Sequence, residues 1–164
     1  MFRRSEMEQV SFAAPWDNLI KGVSSCIFAL IVFLGIVFTF IVDNLSVLVG
    51  ILALYSAILV VPYLWSPRAY IVASHKIVVK RLIGDFQITV AQKPERWKWT
   101  WWGIRLFGSG GLYGYFGYFS FRGLGRVCMH ATNRNNLVLV SDEKGRRFLL
   151  SPSDPDRFIQ LFRP

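Results

Sequence analysis

The 44 residues from Gly22 to Trp65 carry one formal charge, Asp43. That charge falls near the middle, in Asp43-Asn44, and divides the stretch into two apolar runs of 21 residues, Gly22–Val42 and Leu45–Trp65. A helix rises about 1.5 Å per residue, so each run makes a rod of roughly 30 Å, the thickness of a bilayer hydrocarbon core. A soluble core has no need of two uncharged runs of this length side by side. The expected element is a helical hairpin that crosses a membrane twice, and membrane lipids are therefore the first partners of the chain.

The flanks set its direction. Asp43-Asn44 has no basic neighbour, whereas Arg3, Arg4 and Lys21 precede the hairpin and Arg68 follows it. The positive-inside rule then places both termini in the cytoplasm, in a two-span protein of the cell's inner membrane. Residues 1–21 read as a cytoplasmic lead-in with no net charge, in which Phe12, Pro15 and Trp16 suggest contact with the interface. Trp16, Tyr63 and Trp65 are candidate interface anchors, since Trp and Tyr favour that layer. Gly22, Ser25 and Ala29 in the first run, and Ser46, Gly50, Ala53 and Ala57 in the second, form small-residue stripes that read as the packing seam of the hairpin. Neither run has a buried ionisable residue, and the charge-free helices argue against an ion or proton route and against a small transporter subunit.

The net charge of +9 arises entirely after the hairpin, where sixteen Lys and Arg face six Asp and Glu. A segment of this kind beside a cytoplasmic leaflet is drawn to anionic lipid. Cys26 lies in the first run and Cys128 far beyond the second, so no disulfide framework is expected.

From Arg68 the pattern changes to short β-rich runs. Ala69–Ala73 and Lys76–Leu82 read as a strand hairpin around Ser74-His75, and Phe86–Ala91 as a third strand after the Gly84-Asp85 turn. Trp97–Trp102, Tyr115–Phe121, Arg126–Thr132, Leu137–Ser141 and Arg146–Leu150 continue the series. Ser151-Pro152-Ser153-Asp154-Pro155 offers a cap and a first-turn proline to a helix whose apolar stripe is Phe158, Ile159, Leu161 and Phe162. The expected fold is α+β: a membrane protein with a transmembrane hairpin over 22–65, then a domain over 66–164. About seven strands form a small barrel or a pair of orthogonal sheets in that domain, capped by a C-terminal helix.

Three segments carry a resemblance: Leu106-Phe107-Gly108-Ser109-Gly110-Gly111-Leu112-Tyr113-Gly114-Tyr115-Phe116-Gly117, Ala131-Thr132-Asn133, and the ending from Ser151 to Phe158. They resemble the bacterial pleckstrin-homology-like (bacterial PH domain) families, which often join a pair of membrane helices to a PH-like domain of seven strands and a C-terminal helix. The resemblance covers residues 66–164, and the hairpin fits it. It implies a membrane-associated binding or scaffolding module and names no ligand.

Residues that carry chemistry are sparse. The glycines of 108–117 lack the Lys-Ser/Thr of a phosphate loop and are followed by strand-like aromatics, so they read as a turn and bulge. Cys128 and His130 share a strand face, but two residues fall short of the three or four ligands a metal site uses. No nucleophile, base and orienting group cluster in sequence, so neither an enzyme nor a cofactor is expected. In Arg96-Trp97-Lys98-Trp99-Thr100-Trp101-Trp102, Trp97, Trp99 and Trp101 occupy one strand face and Lys98 the other. That face suits either the headgroup layer or the domain core, and both readings stay open. Stacking on single-stranded nucleic acid uses similar residues, but a membrane tether disfavours it. Lys76, Lys80, Arg81, Lys98 and Arg105 are candidate contacts to anionic headgroups. PH domains that read inositides carry basic residues on the first strand hairpin, and Ser74-His75 departs from that pattern by having no basic cluster. Two functions follow. The first is a scaffold that assembles with a membrane protein partner or with copies of itself. The alternative is a domain that binds anionic lipid headgroups.

Overall fold

The computed structural model describes residues 9–100 and 103–162. Its first element is a strand, β1 (Val10–Ala13), within the segment that reads as a lead-in. β1 pairs antiparallel with β2 (Ala69–Ala73), from Val10 opposite Val72 to Ala13 opposite Ala69. The helical hairpin is thus inserted between two neighbouring strands of one sheet. Phe12 belongs to the core rather than to the interface, at 4% exposure.

Helix α1 (Asn18–Ile41) starts four residues earlier than its apolar run, because the side chain of Asp17 caps it by accepting from Ile20 N at 2.7 Å. Helix α2 (Leu45–Trp65) is capped by Asn44, which accepts from Ser46 N and Val47 N. Pro62 lies in its last turn. Both helices are long and apolar enough to cross a membrane. The small-residue stripes do not form their seam. Gly22, Ser25, Ala29, Ser46, Gly50, Ala53 and Ala57 are all exposed. The helices meet instead where Gly35 faces Leu52 and where the ring of Phe38 meets that of Tyr55 at 6.2 Å. Gly35 leaves room for Leu52, and the two rings complete that contact.

After the hairpin, β2 turns into β3 (Lys76–Lys80) and β3 into β4 (Phe86–Thr89), giving a four-stranded sheet in the order β1-β2-β3-β4. The second sheet contains β5 (Glu95–Trp97), β6 (Gly103–Gly110), β7 (Tyr115–Phe121), β8 (Gly125–Ala131), β9 (Leu137–Ser141) and β10 (Arg147–Leu150). Its order is β5-β9-β10-β8-β7-β6, with β10 parallel to β8. The described residues therefore form ten strands, nine of them in the span 66–164 where about seven are expected, in two sheets and without a closed barrel. β6 runs into the glycine-rich segment as far as Gly110, and the turn expected there is confined to residues 111–114.

The second sheet is buried on both faces at its centre, which is why β9 and β10 read as unbroken apolar runs. Val138, Val140, Phe148 and Leu150 face the first sheet, packing with Tyr70, Val72, Ile77, Val79 and Ile88. Leu137 and Leu149 face the other way, into a second core with Phe119, Phe121, Val127 and Met129. Ile20, in the first turn of α1, belongs to that second core. The helix α3 (Pro155–Gln160) has Pro155 in its first turn and Asp154 as cap, accepting from Arg157 N at 3.0 Å. It closes the first core with Phe158, whose ring meets Phe12 edge-on at 5.3 Å.

Candidate functional site

The hairpin and the domain are joined by side chains of named chemistry rather than by a bare linker. Asp17 uses both carboxylate oxygens. One caps α1, and the other accepts from Arg134 N at 3.2 Å and faces Arg134 Nε at 3.5 Å. Asp17 N donates to the carbonyl of Thr132, and Thr132 Oγ1 donates to the carbonyl of Pro15. Ser151 Oγ in turn accepts from Thr132 N at 2.7 Å and Asn133 N at 3.2 Å. Tyr70 completes this knot by donating to the carbonyl of His130 at 2.7 Å and accepting from Ser151 N at 3.2 Å. Complete burial pushes its hydroxyl up to about 12. The Ala131-Thr132-Asn133 and Ser151-Pro152 segments thus have a structural role, holding α1 to the domain.

A second clasp centres on Tyr113 in the turn between β6 and β7. Its N–H donates to Ser24 Oγ on α1 at 3.0 Å, and its carbonyl accepts from Ser66 Oγ, just after α2, at 2.5 Å. Its ring lies 5.8 Å from Trp16 and 5.3 Å from Tyr63, and the Arg68 guanidinium sits 4.4 Å over Tyr63. Tyr113 adopts a φ of 58°, a left-handed conformation that costs a residue with a Cβ about 1–2 kcal/mol. Bonds to Ser24 of α1 and to Ser66, the residue that ends α2, hold it there. A third tie is Ile83 N to the carbonyl of Leu64, which sets the β3–β4 loop against the base of α2.

Between these ties lies a groove of about 910 Å³. Its helical wall is Val23 and Ile27 of α1 with Ala57, Ile58, Val61 and Trp65 of α2. Its other wall is the β6–β7 ribbon, chiefly Phe107, Phe116 and Tyr118, with Phe86, Cys128 and His130 behind. Gly108 and Gly117 face each other across that ribbon. Their φ angles are 111° and 117°, and a Cβ at either would come within 2.1–2.2 Å of the carbonyl oxygen of Phe116 or Phe107. Only glycine fits, and the ribbon offers the groove bare backbone there.

The structure separates the five candidate headgroup contacts. Arg81 and Arg105 line the groove together. Lys76 and Lys98 are exposed and do not line it. Lys80 forms an ion pair with Asp85, whose carboxyl that hydrogen bond holds below its ordinary range. Of the expected interface aromatics, Trp65 lines the groove and Trp16 and Tyr63 belong to the Tyr113 clasp. Trp97 and Trp99 pack against the second core, Trp99 lying 5.3 Å from Tyr115 and 5.7 Å from Phe121. Trp101 lies outside the described residues. Asp17, Ser24, Ser66 and Tyr113 escaped the sequence reading because their partners are distant in the chain. A local signal existed for Asp17 alone, as an acidic residue immediately before a helix.

Cys128 and His130 do share a face, with Sγ 3.4 Å from Nε2. His130 Nδ1 is buried without a hydrogen-bond partner. Burial first, and the Arg81 charge second, lower its pKa to about 4, so the ring is neutral at neutral pH. Burial raises the Cys128 thiol, leaving it protonated and a weak nucleophile. Among the described residues no group of three or more His, Cys, Asp or Glu is placed to hold a metal. The groove therefore offers apolar walls, two guanidinium groups, the Ser109 hydroxyl and a neutral imidazole.

A sequence model of the bacterial PH domain matches residues 68–163, more than half of the chain. No curated protein and no solved structure matches it.

Proposed function

Because the chain belongs to the bacterial PH domain family, we propose that it is a binding module anchored in the cell membrane by its hairpin, with the domain seated on the cytoplasmic leaflet and no reaction of its own. One observation carries this reading: the groove is built jointly by the hairpin and the domain, so its contents must be reached beside the membrane. Apolar side chains flank the same region. Leu82 and Ile83, tied to the base of α2, are 53% and 54% exposed, and Phe107 on β6 is 71% exposed. In water such a patch is a liability, whereas against a leaflet it is buried.

The test is a photoreactive phenylalanine analogue placed at Phe107 or Val61 of the full chain in its own membrane, with Phe40 at the far end of the hairpin as control. Adducts formed at the two groove positions in excess of those at Phe40, and persisting when the membranes are diluted before irradiation, support a groove that holds a ligand. Labelling no greater than at Phe40 removes the groove from the function.

The scaffolding reading keeps one specific support. β6 is the edge of its sheet, eight residues long, with Ile104 and Leu106 exposed. An edge of that length accepts a further strand from a membrane protein partner or from a second copy of this chain. Proline in place of Leu106 abolishes crosslinks between copies if strand addition makes them, and leaves them unchanged if it does not.

A further inference from the structure

We propose that the groove is the seat of a single anionic glycerophospholipid, entering sideways from the cytoplasmic leaflet, with its phosphate between Arg81 and Arg105 and an acyl chain along the helices. The proposal rests on the reading of the groove as the binding site of a membrane-seated module.

The groove is polar at one end and apolar at the other. Along α2 it runs from Trp65 back to Ala57, about 12 Å at the rise of a helix. The Ala57 end is walled by Ile27 and Ile58, with Val61 between it and Trp65, side chains at the depth of lipid tails if the hairpin spans. A water-soluble ligand has nothing to gain there, and an acyl chain does. The two arginines sit at the opposite end. Arg81 precedes the loop tied to Leu64, at the base of α2. Arg105 lies across Gly110, where a built Cβ would approach its Nη1 to 3.3 Å. The next residue, Gly111, abuts Val23 at the base of α1.

Charge complementarity identifies the head. Among the described residues no Asp or Glu lines the groove. The nearest carboxylate in sequence, Asp85, accepts from Arg81 N but gives its ion pair to Lys80. Arg81 Nε is buried with no hydrogen-bond partner among the described residues, a costly state that an anion relieves. Guanidinium groups match phosphate oxygens in bidentate geometry. His130, 8% exposed, lines the same groove with Nδ1 unpartnered. Ser109 Oγ is already committed to the carbonyl of Leu112. The site differs from the first strand hairpin at Ser74-His75, which contributes nothing to it.

The experiment uses the full chain in a neutral detergent, titrated with phosphatidylglycerol or phosphatidylcholine and read by native mass spectrometry. Glycerol phosphate serves as the headgroup without tails. One phosphatidylglycerol per chain is expected, retained at least about tenfold better than phosphatidylcholine, with glycerol phosphate not retained. Replacing Arg81 and Arg105 together by Gln should lower retention about tenfold or more, on the scale of one or two charge-assisted hydrogen bonds. Replacing Lys76 and Lys98 by Gln removes the same charge outside the groove and should leave retention unchanged. Ala57→Trp fills the apolar end without altering charge and should also lower it. Equal losses in the two double variants would show diffuse attraction and overturn the proposal. So would glycerol phosphate binding as well as the lipid, which would make this a free phosphate site. If the photoreactive residue at Phe107 or Val61 captures a protein while no lipid is retained, the groove still binds a ligand and only its identity as a lipid fails. If nothing is captured, both fail.

Discussion

The hairpin and the sheets obey opposite rules of burial within one chain. In the sheets, Tyr70, Ile77, Met129, Leu137, Leu149 and Phe158 are fully enclosed by protein. In α2 no residue is buried, and Phe40 at the end of α1 is 82% exposed although both helices are apolar all round. A helix with no polar face has no water-facing side, so its surroundings must be apolar. The sheets are packed for water outside and protein inside. The hairpin is apolar on its outside and long enough to cross a membrane, and its interior is little more than the line from Gly35 and Leu52 to Phe38 and Tyr55. The difference locates the groove, because it forms where one kind of surface meets the other.

That contrast can be broken by cavity. Leu149→Ala at the centre of β10 should cost about 2–5 kcal/mol, since a close-packed core relaxes only partly around a void. The loss should show as a fall in the melting temperature of the detergent-solubilised chain. An unchanged melting temperature would mean that the second core is not packed as described.

Acid should separate the regions next. The imidazole of an unfolded chain takes its proton near 6.5, whereas burial delays His130 to about 4. Between these values the unfolded state binds the additional proton, so stability falls as the pH drops from 6.5 to 4 and levels off below. The gap corresponds to roughly 3 kcal/mol. His130 is packed against Phe86 at 5.0 Å and Cys128, with Arg81 as the nearby charge. Melting curves at pH 7 and pH 4.5 should diverge for the natural chain and converge for His130→Gln. Helix content, dominated by the hairpin, should persist at both values.

The joint is the place to sharpen the comparison. Asp17→Ala removes the cap of α1 and the partner of Arg134 together, a loss of about 1–2 kcal/mol from the cap alone. Asp17→Asn keeps an oxygen for Ile20 N and should recover part of it. Protease sensitivity near residue 17 should rise in the order natural, Asn, Ala. The smallest effect is expected in the hairpin itself: Phe40→Leu, at a side chain 82% exposed, should shift stability by less than about 0.5 kcal/mol. A larger shift would mean that protein covers that surface.

Much of this molecule was readable wherever the cause of a structure lies within a few residues. The two long helices follow from uninterrupted apolar length. The β2–β3 hairpin follows from alternation about a two-residue turn, and α3 from Asp154-Pro155 ahead of an apolar stripe. The bacterial PH domain resemblance agrees with the family match over residues 68–163. By contrast β1 is four residues in an unremarkable lead-in, and it is a strand because Val72 and Tyr70 offer it an edge nearly sixty residues later. β6 is poor in β-formers, with glycine at 103, 108 and 110, and is held by its ladder to β7. Trp97 and Trp99 suit a membrane interface and a core equally by composition, and only the position of Tyr115 and Phe121 decides between them. Five basic residues scattered through the domain look alike in sequence. Tertiary structure brings Arg81 and Arg105 to one groove, pairs Lys80 with Asp85, and leaves Lys76 and Lys98 outside it. Periodicity and capping act over a turn or two of chain, so the sequence determined the elements. Register, sheet order and the docking of the hairpin depend on contacts between distant residues, so only the tertiary structure decided which charges share a site.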